Sequence, residues 1–118
     1  MRYLLLIMEE RDRRRQRTPE CAATEMAQMN SFGAELARRG INKASESLKS
    51  IVDGVRINVR DGARVVFDGP FAETKEAVGG FFLLECDSKE EAIAIAADCP
   101  AAEWATVELR ELGPCDSL

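Results

Sequence analysis

Residues 68–76 read DGPFAETKE and place several side chains that could carry chemistry between two apolar segments. The carboxylate of Asp68, or of a buried Glu73, can act as a general base, with Lys75 as an electrophilic partner. The chain has no histidine, so Ser–His and Cys–His nucleophile pairs and histidine-bound metals are excluded. Proton transfer must therefore use a carboxylate, lysine, tyrosine or cysteine.

The same segment also has the features of a tight turn. Pro70 fixes its own φ and disfavours a helical Gly69, while Asp68 can accept hydrogen bonds from nearby backbone N–H groups. Two interpretations stay open. In one, Asp68 caps a turn that Phe71 anchors in the core. In the other, Asp68 is a catalytic carboxylate and the segment forms one wall of a ligand-binding cleft through Gly69, Pro70, Phe71, Glu73, Lys75 and Glu76.

Five arginines cluster in the segment ERDRRRQR, at positions 11, 13, 14, 15 and 17. Runs of charge are usually solvated, so we expect a solvated connection that folding does not require. The alternative is an anion site helped by the positive end of the following helix.

The composition of the 118 residues, 46% hydrophobic and 31% charged, indicates one globular domain over residues 1–118. The net charge of −5 argues against a general nucleic-acid binder. No signal peptide and no membrane-length apolar run is visible, so we expect a cytoplasmic protein without a membrane partner. Cys21, Cys86, Cys99 and Cys115 are widely spaced, which predicts reduced thiols and neither a metal nor a cofactor.

Apolar spacing predicts the elements of the first half. A continuous apolar run at 3–8 predicts a strand. Thr18 as N-cap and Gly40 beyond the end predict a helix over 19–39. Its buried stripe is expected to consist of Ala22, Met26, Met29, Phe32 and Leu36. Residues 45–50 are weakly patterned and suggest an irregular or edge strand.

The second half begins with a hairpin signal. Alternating residues 55–60 predict a half-buried strand, Asp61-Gly62 a type I′ turn, and residues 64–67 the return strand. Residues 73–76 could form a helical turn, and Gly79-Gly80 a bulge. A second apolar strand follows at 81–86, then a helix from Ser88 to about Asp98 with a capping box, and a last strand at 105–110. The helix is expected to bury Ile93, Ala96 and Ala97.

This order of elements is typical of an α+β, ferredoxin-like split βαβ fold with an added hairpin. Its central strands would be residues 3–8 and 81–86, which are apolar on both faces. Helices can cover only one face of such a sheet, and a large bare apolar face is uncommon in a monomer. We therefore expect a homodimer in which two sheets pack face to face.

The sequence also resembles a known family. The segments DGPFAETKE, GGFFLLE, EEAIAIAADCPAA and VELRE are similar to those of the DGPF branch of the YCII-related proteins, and the resemblance runs from about Arg2 to Leu112. It implies a ferredoxin-like fold that pairs into a dimeric α+β barrel, in bacterial cytoplasmic proteins mostly of unestablished function. Some YCII relatives are enzymes, including a dehydrochlorinase, and many DGPF proteins are encoded beside extracytoplasmic-function sigma factors.

The wider family is associated with a His–Asp pair, of which this chain keeps at most the carboxylate. Our first functional hypothesis is therefore binding of a small molecule in a cleft near the dimer interface, with a link to sigma-factor regulation. The second is a lyase or dehydrochlorinase-like enzyme in which Asp68 or a buried Glu73 is the base and Lys75 an electrophilic partner. The third is a structural dimer without a ligand.

Overall fold

The computed structural model describes residues 1–71 and 73–116. The elements are β1 (Arg2–Glu10), α1 (Arg13–Gln16), α2 (Pro19–Arg38), β2 (Asn42–Ser47), β3 (Val55–Arg60), β4 (Ala63–Asp68), β5 (Glu76–Glu85), α3 (Lys89–Ala97) and β6 (Thr106–Glu111), with short 3₁₀ turns at Ile51–Asp53 and Pro100–Glu103. Strands β2, β5, β1 and β6 form one antiparallel sheet in that order, and β3 and β4 form a separate two-stranded sheet. The ferredoxin-like α+β arrangement expected from the sequence is therefore seen.

The two strands predicted to be central are central. Tyr3, Leu5 and Ile7 of β1 alternate with less buried neighbours and pack with Phe82 and Leu84 of β5. These side chains point to the face that carries α2 and α3. The hydrophobic core therefore lies on one side of the sheet, between the two central strands and the helices.

Both long helices begin where their capping residues predict. The Thr18 hydroxyl accepts a hydrogen bond from the Cys21 N–H at 3.0 Å, and the Ser88 hydroxyl accepts one from the Glu91 N–H at 3.1 Å. The Glu91 carboxylate completes the second cap by accepting from the Asp87 N–H. Local hydrogen bonding thus fixes these boundaries, which is why they could be predicted.

The buried stripes of the helices differ in part from the predicted ones. In α2 the most buried positions are Glu25, Gly33 and Leu36, while Met26 is 48% exposed. In α3 Ala92 is buried and Ile93 is 51% exposed. The predicted phase is therefore only partly wrong, because Leu36 is in the core and Met29, Phe32 and Ala96 pack against it as predicted. Apolar spacing alone did not indicate that Met26 and Ile93 would lie at the edge of the buried face.

The hairpin forms as predicted, but it is not half-buried. Asp61 and Gly62 both have positive φ, at 52° and 77°, as a type I′ turn requires. The predicted half-burial of Val55, Ile57 and Val59 is wrong, since their exposed fractions are 55%, 64% and 61%. The reason is that, within the described residues, β3 and β4 pair with each other and not with the main sheet.

Strand β5 begins at Glu76, five residues before the predicted start, and no helix forms at residues 73–76. The predicted bulge is confirmed, because Ile7 pairs with Gly80 and Met8 with Val78, which leaves Gly79 as the extra residue. A Cβ on Gly79 would lie 2.7 Å from the Glu9 carboxyl carbon. Glycine at this position therefore lets the Glu9 side chain lie against the backbone of β5.

The turn after β4 is built around Gly69. Its N–H donates to the Gly54 carbonyl at 2.8 Å, and the Gly69-Pro70 peptide bond is cis. The ring of Phe71 lies beneath the Arg56 guanidinium, whose carbon is 3.9 Å from the ring centroid. The turn thus packs on the base of the hairpin.

We expect Gly69→Ala to destabilise the fold by more than about 2 kcal/mol, because overpacking forces the surrounding backbone to move. A Cβ there would lie 1.8 Å from the Ile51 carbonyl oxygen. Gly113→Ala is the matched control. Apart from the two residues next to it in the chain, no atom of the described residues lies within 4 Å of a Cβ added at Gly113. This substitution should change the free energy of unfolding by less than about 0.5 kcal/mol. Urea unfolding measures both, and equal effects would contradict the close approach at Gly69.

Candidate functional site

A buried carboxylate on α2 organises the loop that follows β1. Glu25 is 8% exposed. Both of its oxygens accept from the Arg13 guanidinium, and Arg17 donates to Oε1 at 2.8 Å. The Cys21 thiol lies one helical turn earlier, with its sulfur 3.5 Å from Oε2. The arginines therefore fold back over α2 instead of extending into solvent.

These partners hold Glu25 ionised. The hydrogen bonds from Arg13 are the main cause that lowers the pKa of Glu25 from 4.5 to about 2, against the opposing effect of burial. The hydrogen bond from Arg17 acts in the same direction. The carboxylate correspondingly raises the pKa of Arg13.

A second ion pair lies beside the first. The Arg14 Nε is 2.6 Å from Oε1 of Glu9, and its Nη2 donates to the carbonyl of Gly79 at 3.1 Å. The Glu9 side chain is 14% exposed. The Gly79 bulge thus serves the site twice, because it makes room for Glu9 and supplies a carbonyl to Arg14.

The expected solvated arginine segment is therefore largely wrong. Arg13, Arg14 and Arg17 are partly buried and paired with the protein. Only Arg15 among these four fits the expectation, since its side chain is 76% exposed and contacts Asp12 of its own loop. A buried carboxylate on the next helix was the partner that the charge run itself could not indicate.

These ion pairs line an open cleft of about 600 Å³ between α2 and the sheet. The lining has a charged, an apolar and a polar part. The charged part includes Glu9, Arg14, Arg17 and Glu25, the apolar part Met26, Met29, Phe82 and Trp104, and the polar part Asn42 and Ser45 of β2. Such a mixture of apolar surface and fixed polar groups is typical of sites for small molecules.

The residues proposed from the sequence lie elsewhere. Asp68, Gly69, Pro70, Phe71, Glu73, Lys75 and Glu76 are absent from the lining of this cleft. Asp68 ends β4, and it is exposed like Glu73, Lys75 and Glu76. The burial of Glu73 that the lyase hypothesis required is therefore not found in the single chain, and the segment is held together as a turn.

Sequence reasoning missed Glu9 and Glu25 and assigned Met26 to the buried stripe of the helix. A signal for Glu25 existed: it lies four residues before Met29, within the apolar stripe of a helix that follows an arginine run. An acidic residue at a core-facing position needs a cation, and the arginines were its nearest source. No comparable local signal marks Trp104. The fold brings the centroid of its ring to 5.6 Å from the Arg13 guanidinium carbon, although the two residues are far apart in sequence.

Within residues 1–71 and 73–116, no three His, Cys, Asp or Glu side chains cluster in a way that could hold a metal ion. In the same part of the chain, no helix is long and apolar enough to cross a membrane. Cys86 and Cys99 are buried and Cys115 is exposed. Burial raises the pKa of both the Cys86 and the Cys99 thiol.

Comparison with known proteins identifies the lineage. A family model described as YCII-related domain matches residues 1–115. The chain belongs to the YCII-related family. An uncharacterized protein of Rhizobium meliloti (strain 1021) is 49% identical over 45 residues, which are 38% of this chain and 36% of that protein. The aligned part thus spans about a third of the relative's length. The cleft therefore belongs to a YCII-related domain.

We expect Arg13→Gln to cost about 2–3 kcal/mol in this YCII-related chain, because it removes a principal partner of a buried carboxylate. Arg15→Gln, in the same loop, should cost less than about 0.5 kcal/mol, as exposed ion pairs usually do. Chemical denaturation at neutral pH compares the two variants. Equal small losses would restore the interpretation of a solvated loop.

Glu25 should make stability depend on acidity. Folding lowers its pKa from 4.5 to about 2, so its ionised form stabilises the fold above pH 4.5, and this contribution is lost as the pH falls towards 2. Relative to Glu25→Gln, the wild type should lose about 3 kcal/mol over that range. Urea unfolding of both proteins at pH 6 and near pH 2 tests this. A difference that does not change with pH would contradict it.

Proposed function

We propose that this chain binds a small molecule in the cleft between α2 and the sheet, and that it does so as a homodimer. The observation that carries the proposal is the pairing of fixed charged groups with an apolar wall in one concave site. The volume of about 600 Å³ lies within the range of roughly 300–1,000 Å³ for ligand pockets.

The lining suggests the class of ligand. Met26 is 48% exposed although it faces the cleft, and Met29 and Trp104 extend the same apolar surface. Methionines adapt their shape to varied apolar groups. Arg14 and Arg17 stand at the charged part of the lining. We therefore propose a ligand with an apolar or aromatic body and a polar end.

The electrostatics favour binding over proton transfer. A general base works best when its pKa lies near the working pH. Glu25, with a pKa of about 2, stays ionised and is a weak base. Its contribution is to fix Arg13 and Arg17 in place. The lyase hypothesis, with Asp68 as base, has no such buried setting and ranks second.

The homodimer rests on the sheet face without helices, here named the open face. Its centre is apolar and its rim is charged. The centre consists of Leu4, Leu6, Met8, Val78, Phe81 and Leu83, and the charged rim of Glu10, Glu46, Glu76, Glu85 and Glu108 with Arg2 and Arg110. Two open faces turned towards each other would form the dimeric α+β barrel. Phe81 belongs to this face and also lines the cleft, which supports a site near the dimer interface.

The remaining parts of the proposal rest on the resemblance. The DGPFAETKE segment supports membership in the DGPF branch, and with it a cytoplasmic, single-domain protein of bacteria. The gene neighbourhood typical of that branch supports a regulatory role beside a sigma factor. A structural dimer without a ligand is the third candidate, and the binding experiment separates it from the first two.

We expect an apolar anionic dye, anilinonaphthalene sulfonate, to bind in the cleft and quench Trp104, the single tryptophan of the chain. Met26→Lys should weaken this quenching by about tenfold or more, because it places a hydrated charge in the apolar wall. Ile93→Lys is the matched control. Ile93 is a helical residue that is 51% exposed, and it lies outside the cleft lining. Its substitution should change the affinity less than about twofold.

Asp68→Asn distinguishes the two possible sites. It should leave Trp104 quenching unchanged if the ligand occupies the cleft beside α2. Loss of quenching in a folded Asp68→Asn protein would instead support a site at the DGPF turn. Absence of quenching in the wild type, together with no ligand retained on purification, would favour the structural dimer.

A further inference from the structure

The β3–β4 hairpin, here named the arm, projects from the domain with a bare aliphatic face. Residues paired across the strands share a face, so Val55, Ile57, Val59 and Val66 lie on the same side. Their exposed fractions are 55%, 64%, 61% and 54%. A contiguous aliphatic surface of this kind is uncommon on a monomer and marks an interaction site.

The arm also receives little support from the described part of its own chain. A two-stranded hairpin alone is marginally stable in water. The Cα radius of gyration is 16.2 Å, against about 13.5 Å for a compact domain of this length, which agrees with a projecting element. The arm therefore needs a cover that is present whenever the protein is folded, and a second copy of the chain meets that need.

Charge supports the same partner. Within residues 55–68, three arginines stand against two aspartates, in a chain whose net charge is −5. Five glutamates stand against two arginines on the rim of the open face. Two such acidic rims facing each other would repel. On the aliphatic face of the arm, Asp68 lies opposite Val55 at the base and Arg64 lies opposite Val59 near the tip, so Arg64 near the tip would offset part of this repulsion at the partner's rim.

We propose that the arm of each copy packs its aliphatic face along the edge of a second copy's open face, beside the stacked sheets, with Arg64 directed to the partner's acidic rim. Arg64 lies opposite Val59 and so shares the aliphatic face. The contact is isologous, because each copy offers one arm and one open face. This inference rests on the proposed homodimer and adds a second contact, through residues that the face-to-face packing of the sheets does not use.

Sedimentation equilibrium of matched variants tests the arm separately from the dimer. Val59→Asp places a carboxylate on the aliphatic face and should raise the dimer dissociation constant by about 30-fold or more, as loss of a central interface contact does. Val65→Asp adds the same charge on the opposite face of the arm, where Val65 pairs with Asn58, and should raise it less than about threefold. Leu6→Asp, at the centre of the open face, should also separate the copies.

Val59→Asp could weaken the dimer simply by unfolding the arm, so amide hydrogen exchange of the wild type provides a second, independent measurement. Protection of residues 55–60 should fall when the protein is diluted below its dissociation constant, while protection of β1 persists. If Leu6→Asp is monomeric but Val59→Asp remains a tight dimer, the arm proposal fails and the dimer stands. Protection of the arm that is independent of concentration likewise overturns the proposal. A wild type that is monomeric at tens of micromolar overturns both the arm and the dimer.

Discussion

A carboxylate taken out of water must find cations, and in this protein that requirement shapes the whole region around α2. Glu25 lies on the helix face that meets the sheet, so its charge would be costly without Arg13 and Arg17. The loop after β1 therefore has to return over the helix. In doing so it brings Arg14 onto Glu9. The cleft is the space left between this ionic cluster and the sheet.

A second constraint comes from the sheet, whose helices cover one face only. In the single chain, the apolar centre of the open face is half-buried and the aliphatic face of the arm is exposed. Burial of apolar surface is the main force in association, so both surfaces support the proposed second copy. In that dimer the acidic rims would repel each other, and Arg64 of each arm would offset part of the repulsion. The arm would then be packed in the assembly instead of exposed.

Local signals predicted much of the architecture. Apolar runs identified the central strands, Thr18 and Ser88 fixed the starts of two helices, and Asp61-Gly62 fixed the hairpin, because each depends on residues close in sequence. The exposure of Val59 and the ion pairs of Glu25 depend instead on where distant elements meet. The exposure of Met26 and Ile93 was missed for the same reason. The candidate cleft was missed because its groups come from six separate segments, whereas the sequence motif at Asp68 is continuous.

The DGPF turn has a structural role at the base of the arm. It closes the base of the arm, where Gly69 bonds to Gly54 and Phe71 lies beneath Arg56. On its other side, Arg11 donates from its backbone to the Lys75 carbonyl at 3.0 Å and from its side chain to the Phe71 carbonyl at 3.2 Å. Arg11 begins the loop whose arginines build the cleft. The turn therefore connects the base of the arm, through direct hydrogen bonds, to the loop whose Arg13 and Arg17 pair with Glu25.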